Sequence, residues 1–173
     1  MRKMIILALA TGLLGVSCGG DDDESGGEAS VTLAPKSDNT TLAGTGKFAG
    51  NAGSVTLTLN VTGAPAGEHG VHIHETGDCS APDGSSAGGH WNPAMEHMHG
   101  SPGATSHIGD LGNLTVSAQG TGTLTYSNPA WEIGTGTAQD VKGKAIIVHA
   151  MVDDYMTQPT GNSGGRIGCG VVE

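Results

Sequence analysis

Basic side chains are scarce: seven Lys and Arg stand against seventeen Asp and Glu in 173 residues, a net charge of −10. Phosphate binding needs clustered Lys and Arg, so a general nucleic-acid binder is excluded. Two of the seven, Arg2 and Lys3, fall in a segment expected to be removed, which takes the charge from −10 to −12. Such a charge favours solubility and repels an anionic substrate unless the field at the site is locally reversed. Aromatic residues are equally few, with one Phe, two Tyr and two Trp, whereas Gly occurs 31 times. Gly is unfavourable inside helices and common at turns and bulges, so the composition argues against a helical bundle and for short strands with many turns. The apolar stretch at residues 4–16 is too short to span a bilayer.

What that stretch does resemble is an export signal, opened by Arg2 and Lys3 and covering residues 1–17. Leu13-Leu14-Gly15-Val16-Ser17-Cys18 is similar to a bacterial lipoprotein cleavage site, with Gly15 where Leu is usual and Leu14 one place early. Cys18 is then the acylated N-terminus, and the membrane is met through lipid alone. The alternative is an ordinary signal peptide with an unrelated cysteine. Residues 18–30, with Asp21-Asp22-Asp23-Glu24 and two Gly pairs, hold too little apolar surface to offset ordering entropy and are expected to be a disordered tether. The location expected is the bacterial envelope, at its periplasmic face or the cell surface. With Cys18 assigned to the anchor, Cys79 and Cys169 remain as an even pair, which an oxidising compartment favours as a disulfide. Such a bridge stabilises by about 4.5 kcal/mol in the chain-entropy model.

From residue 31 onward apolar side chains alternate, most clearly in Val55-Thr56-Leu57-Thr58-Leu59-Asn60-Val61, the period of a half-buried strand. Similar runs at 30–34, 42–48, 70–75, 113–118, 121–126, 145–149 and 166–172 are separated by Gly, Pro and Asn turns. Eight such strands predict one all-β domain over 31–173, an antiparallel barrel or sandwich. Residues 76–110 and 150–165 break the rhythm and are longer than ordinary connections, as functional loops are.

Six of the eight histidines lie between Val71 and Gly109. In His72-Ile73-His74 the strand period puts both imidazoles on one face, where they can converge on one ion. His90, His99, His107 and Asp110 follow in the Gly- and Pro-rich loop, and His149 ends a later apolar strand. Three imidazoles with one carboxylate suit tetrahedral zinc, and imidazoles alone suit copper or zinc. A loop so poor in apolar surface can take from a metal the order that packing does not supply.

His69-Gly70-Val71-His72-Ile73-His74, Gly77-Asp78-Cys79, Gly89-His90-Trp91-Asn92-Pro93, His107-Ile108-Gly109-Asp110-Leu111-Gly112-Asn113, Val148-His149 and Gly161-Asn162-Ser163-Gly164-Gly165-Arg166-Ile167-Gly168-Cys169-Gly170 together resemble the copper-zinc superoxide dismutases. The likeness runs in order over residues 31–173. It implies an eight-stranded antiparallel Greek-key barrel with two long functional loops. It implies copper held by His72, His74, His90 and His149, and zinc by His90, His99, His107 and Asp110, with His90 shared. His97 is the alternative to His99; the His99-Gly100 step favours His99. Asp153 matches the carboxylate that orients a copper histidine and a zinc histidine, here His72 and His99. Arg166 matches the anion-binding arginine, Cys79 and Cys169 the family's bridge, and His69 a structural histidine. Trp91 and Trp131 read as packing residues.

The activity implied is dismutation of superoxide: copper takes an electron from one superoxide and returns it to a second, with His90 as proton carrier. Residues 150–165 contain no Lys, so the steering cations common in that loop are missing, leaving Lys142 and Lys144 as candidates. Two other readings fit parts of the sequence. One is a copper-binding or copper-delivery protein without turnover; the other is a zinc-stabilised surface adhesin of sandwich fold, which leaves His149 and Arg166 unexplained. The residues leave monomer and homodimer equally open.

Overall fold

The computed structural model describes residues 27–37, 41–51 and 53–173. Cys18, the leader and most of the expected tether lie outside the described residues. Eight strands form one antiparallel sheet: β1 (Glu28–Pro35), β2 (Ala43–Asn51), β3 (Ser54–Thr62), β4 (Gly67–His74), β5 (Asp110–Val116), β6 (Gly122–Asn128), β7 (Ala145–His149) and β8 (Arg166–Val171). Their order is β5-β4-β7-β8-β1-β2-β3-β6, and the two end strands are joined by a hairpin with Ser117 N–H donating to Thr121 O at 2.8 Å. The sheet thereby rolls into a nearly closed barrel, with the β3–β4 and β6–β7 connections crossing between strands that are not paired, the Greek-key pattern. Among the described residues no helix is long and apolar enough to cross a membrane.

Strand β1 begins at Glu28, three residues inside the segment expected as tether. Ala29 is buried, and Glu28, Ala29 and Ser30 pair with Ala49, Phe48 and Lys47. Backbone pairing, which the acidic composition does not reveal, extends the strand there.

Alternation delivers the core. Val55, Leu57, Leu59 and Val61 of β3 point inward with Phe48, Leu114, Ile73 and Ile146, while the intervening threonines face out. Strands β4 and β7 differ, because both their faces are covered. Val71, Ile73, Ile146 and Val148 face the barrel interior. On the opposite face Ala145 and Ile147 pack with Ala87 and Cys169 under the first loop. His72 pairs with Ile147 and His74 with Ala145, so these histidines stand on the covered outer face.

Candidate metal centre

The first loop is stitched to β4 through backbone groups. Trp91 N–H donates to Ile73 O at 2.8 Å, Ile73 N–H to Gly109 O at 2.8 Å, and Gly109 N–H to Trp91 O at 3.0 Å. A Cβ at Gly109 would overlap the Ile73 carbonyl, so only glycine lets the loop approach so closely. This places His90 beside His74 and Asp110 beside His72. The bridge between Cys79 and Cys169, 90 residues apart with Cα atoms at 5.9 Å, fastens the same loop to β8.

His72, His74, His90 and His149 form one buried group whose ligand atoms lie within 4.8 Å of one another. In each ring one nitrogen faces an acceptor. His72 Nε2 lies 2.8 Å from Asp153 Oδ2, His74 Nδ1 3.0 Å from Gly88 O, His90 Nδ1 2.9 Å from Asp110 Oδ1 and His149 Nδ1 3.2 Å from Gly164 O. The opposite nitrogens, His72 Nδ1, His74 Nε2, His90 Nε2 and His149 Nε2, are buried and without a hydrogen-bond partner. A buried unpaired polar atom is costly, so four converging on one point fit a metal ion and little else. Burial foremost, with the neighbouring imidazoles and Arg166, pushes His74 down to about 2. Burial and the charges of His72 and His90 push His149 down to about 3. Neutral imidazole is the form that ligates.

The second cluster gathers on Asp110. Its Oδ1 lies 2.9 Å from His90 Nδ1, 3.1 Å from His99 Nδ1 and 3.5 Å from His107 Nδ1, while Oδ2 accepts from the backbone N–H of Gly100 and His107. His72 also falls within 4.8 Å of this group, but its two nitrogens are already directed to Asp153 and to the first cluster. His107 is the imidazole at hand to complete the second, with Nδ1 3.5 Å from His90 Nδ1. His97 turns away: its Nδ1 donates to Ser106 O at 3.1 Å. Burial would raise the Asp110 carboxyl, but hydrogen bonds from His107, His90 and His99 hold it far below the usual range. Burial would likewise lower His99, yet Asp110 and Asp153 outweigh it and raise this ring to about 9.

Asp153 links the clusters, with Oδ2 on His72 Nε2 and Oδ1 2.9 Å from His99 Nε2. Asn113 holds its backbone on both sides, accepting from Asp153 N–H and donating to its carbonyl. Gly161, at φ +63, lies against this joint, where a Cβ would overlap Asp153 Oδ1 and His99 Nε2. Arg166 donates to Gly84 O at 2.6 Å and Gly88 O at 2.7 Å, and Gly88 O also receives His74 Nδ1–H. The guanidinium is thus fixed by the disulfide-tethered loop, one carbonyl away from a cluster histidine.

Several contributors carry no clear signal in the sequence. Lys36 donates to the Cys79 carbonyl, and its stem, like that of Arg166, lies against Gly84. Lys144 donates to Glu75 O and lies over the Trp91 ring. Gln158 brackets the backbone of His99 from the second loop. His69 is structural, its nitrogens 2.8 and 2.9 Å from the carbonyls of His149 and Pro65. Trp91 and Trp131 pack in the core.

A Greek-key barrel whose outer face carries two buried histidine clusters sharing one ring defines a dinuclear metalloprotein. Residues 42–172 match the copper/zinc superoxide dismutase (SODC) family profile, and the chain belongs to that family, whose metals are copper and zinc. It is 38% identical to the Cu-Zn superoxide dismutase of Deinococcus radiodurans over 143 residues, 76% of this chain and 78% of that one. It is 41% identical over 112 residues to the superoxide dismutase-like protein YojM of Bacillus subtilis, covering 62% of this chain and 57% of the relative. Among solved structures, the clock protein EA4 superimposes with a TM-score of 0.73 at 30% identity, over 86% of this chain and 94% of that one.

Proposed function

We propose that this chain dismutates superoxide, converting two superoxide anions and two protons into oxygen and hydrogen peroxide. The observation that carries the reading is the single ring of His90, which directs Nδ1 to the Asp110 cluster and the unpartnered Nε2 to the His72, His74 and His149 cluster. In this reading the four unpartnered nitrogens hold copper, and His90, His99, His107 and Asp110 hold zinc. Copper supplies a one-electron couple when bound, and zinc a fixed charge without redox chemistry. The chain does the rest. Arg166, rigid on two carbonyls, offers its remaining N–H groups and charge to an anion beside the cluster. Nε2 of His90 is the atom that can hold and release a proton there, while Asp153 keeps His72 in the tautomer with a free Nδ1.

Replacing Arg166 with Ile should leave both metals bound and slow superoxide decay on the order of tenfold, the worth of a lost hydrogen bond to a charged group. Metal analysis and a superoxide decay assay on the same protein are the check. An unchanged rate would remove Arg166 from the reaction. Two metals without decay in the unaltered protein would favour copper storage or delivery, the reading that the likeness to a superoxide dismutase-like protein keeps in view.

The site of action in this reading is the bacterial envelope, with the chain exported and held by lipid on Cys18. Its support is the Arg2-Lys3 start, the apolar run and the acidic stretch after the cysteine. Cys18→Ala should move the protein from the membrane fraction to the soluble one. Retention on the membrane would count against the anchor.

A further inference from the structure

Every methionine among the described residues is solvent-exposed: Met95 is 87% exposed, Met98 63%, Met151 49% and Met156 81%. None fills a gap in the barrel core, the usual employment of this side chain. All four stand instead on the two loops that carry the metal clusters, Met95 and Met98 on the first, Met151 and Met156 on the second. Burying an apolar side chain of this size is stabilising, and on these two loops that gain is largely forgone four times. Singly scattered apolar residues need no explanation, but these four are confined to the two metal-carrying loops.

Gln158 draws two of them together. Its side-chain carbonyl accepts from His99 N–H at 3.0 Å, and its amide nitrogen donates to His99 O at 2.8 Å and to Met156 O at 3.4 Å. Two carbonyl oxygens sharing one donor atom are at most about 6 Å apart. Met98 immediately precedes His99, so the clamp holds the backbones that carry Met98 and Met156 close enough for two flexible side chains to reach one ion. A third thioether stands beside Gly164. A Cβ at Gly164 would come within 2.9 Å of Met151 Sδ, and the Gly164 carbonyl is the group that orients His149.

Neutral thioethers are poor ligands for zinc or any hard cation and good ones for monovalent copper. We propose that Met98 and Met156 form an entry site for Cu(I), taking it from a soft-ligand carrier and passing it to the histidine cluster. This rests on the reading of that cluster as the copper site.

Two measurements test it on the full chain. In the first, both histidine clusters are filled with diamagnetic zinc, and Ag(I), a redox-silent stand-in for Cu(I), is titrated while the methionine methyl carbons are followed by NMR. The Met98 and Met156 methyl signals should shift within the first equivalent. In the second, the protein with zinc on the Asp110 cluster draws Cu(I) anaerobically from its coloured bicinchoninate complex. The M98L/M156L variant should decolourise it at least about tenfold more slowly, since prior capture makes the last step intramolecular. Final copper uptake should be unchanged, because no histidine is touched. Unshifted Met98 and Met156 signals, or equal transfer rates, overturn the proposal. Absence of copper uptake by both proteins would instead sink the copper-site reading, and the transfer with it, whereas the methyl signals report the thioether pair independently.

Discussion

Replacing Asp153 with Ala will weaken both metal clusters at once, lowering copper and zinc affinity by about 10–100-fold each, the usual effect of removing a group that orients metal-binding histidines. The double effect follows from geometry. One carboxylate reaches His72 Nε2 at 2.8 Å and His99 Nε2 at 2.9 Å, so one substitution frees a ring in each cluster. Without the acceptor, His72 can place its proton on Nδ1, the nitrogen that otherwise stands unpartnered in the first cluster. His99 loses one of the two carboxylates that hold it between Asp110 and Asp153. Gly161→Ala should repeat the loss at both clusters, since its Cβ would overlap Asp153 Oδ1 and His99 Nε2 and φ +63 disfavours any side chain there. Competition against chelators of graded strength reads both constants. Loss of one metal with the other unchanged would show that Asp153 serves a single cluster.

That carboxylate was legible in the sequence only through likeness to a family, and the reason is physical. Strand periodicity is local, so His72 and His74 could be placed on one face from their own neighbours. The alternation of β3 and the unbroken burial of β7 were readable in the same way. Ring orientation is not local. Which nitrogen of His90 faces which cluster depends on three backbone contacts among Ile73, Trp91 and Gly109. The choice of His99 over His97 depends on where a loop returns, and His97 ends on the Ser106 carbonyl.

Charge placement was the least legible. Seven basic residues in a chain this acidic leave few candidates for steering, and closeness in sequence to β7 does not reveal what each ammonium group meets. Lys144 is occupied by Glu75 O and Trp91, whereas Lys36, at the end of β1, reaches the loop because β1 pairs with β8 at Ala34 and Cys169. The same pairing brings Lys36 to the Cys79 carbonyl. Nothing in the residues around Lys36 announces this, since topology alone makes them neighbours.

Topology also sets how the protein should respond to acid. In the metal-free chain, burial and neighbouring charges hold His74 at about 2, His149 at about 3 and His90 at about 4, all below an ordinary 6.5. The unfolded chain therefore binds more protons than the folded one as soon as pH falls below 6.5, and stability falls with it. Each group kept neutral costs up to about 1.4 kcal/mol per pH unit. With one or two acting fully, metal-free stability should drop by about 1–3 kcal/mol between pH 6.5 and 5.5, a large share of a typical 5–15. Asp110 and Asp153, held low by their histidines against burial, extend the loss below pH 4, where their stabilisation disappears. His99 acts in the other direction. Raised to about 9, it stabilises fully below 6.5 and loses that contribution as pH climbs toward 9. Zinc at neutral pH must displace its proton, so loading should release about one proton per ion. Bound metals occupy the nitrogens that acid would otherwise reach, so the loaded protein should keep a flatter profile until the ions leave. Urea unfolding at pH 7.5, 6.5 and 5.5, with and without metals, measures both slopes. A metal-free profile as flat as the loaded one would mean that these imidazoles are not held neutral by the fold.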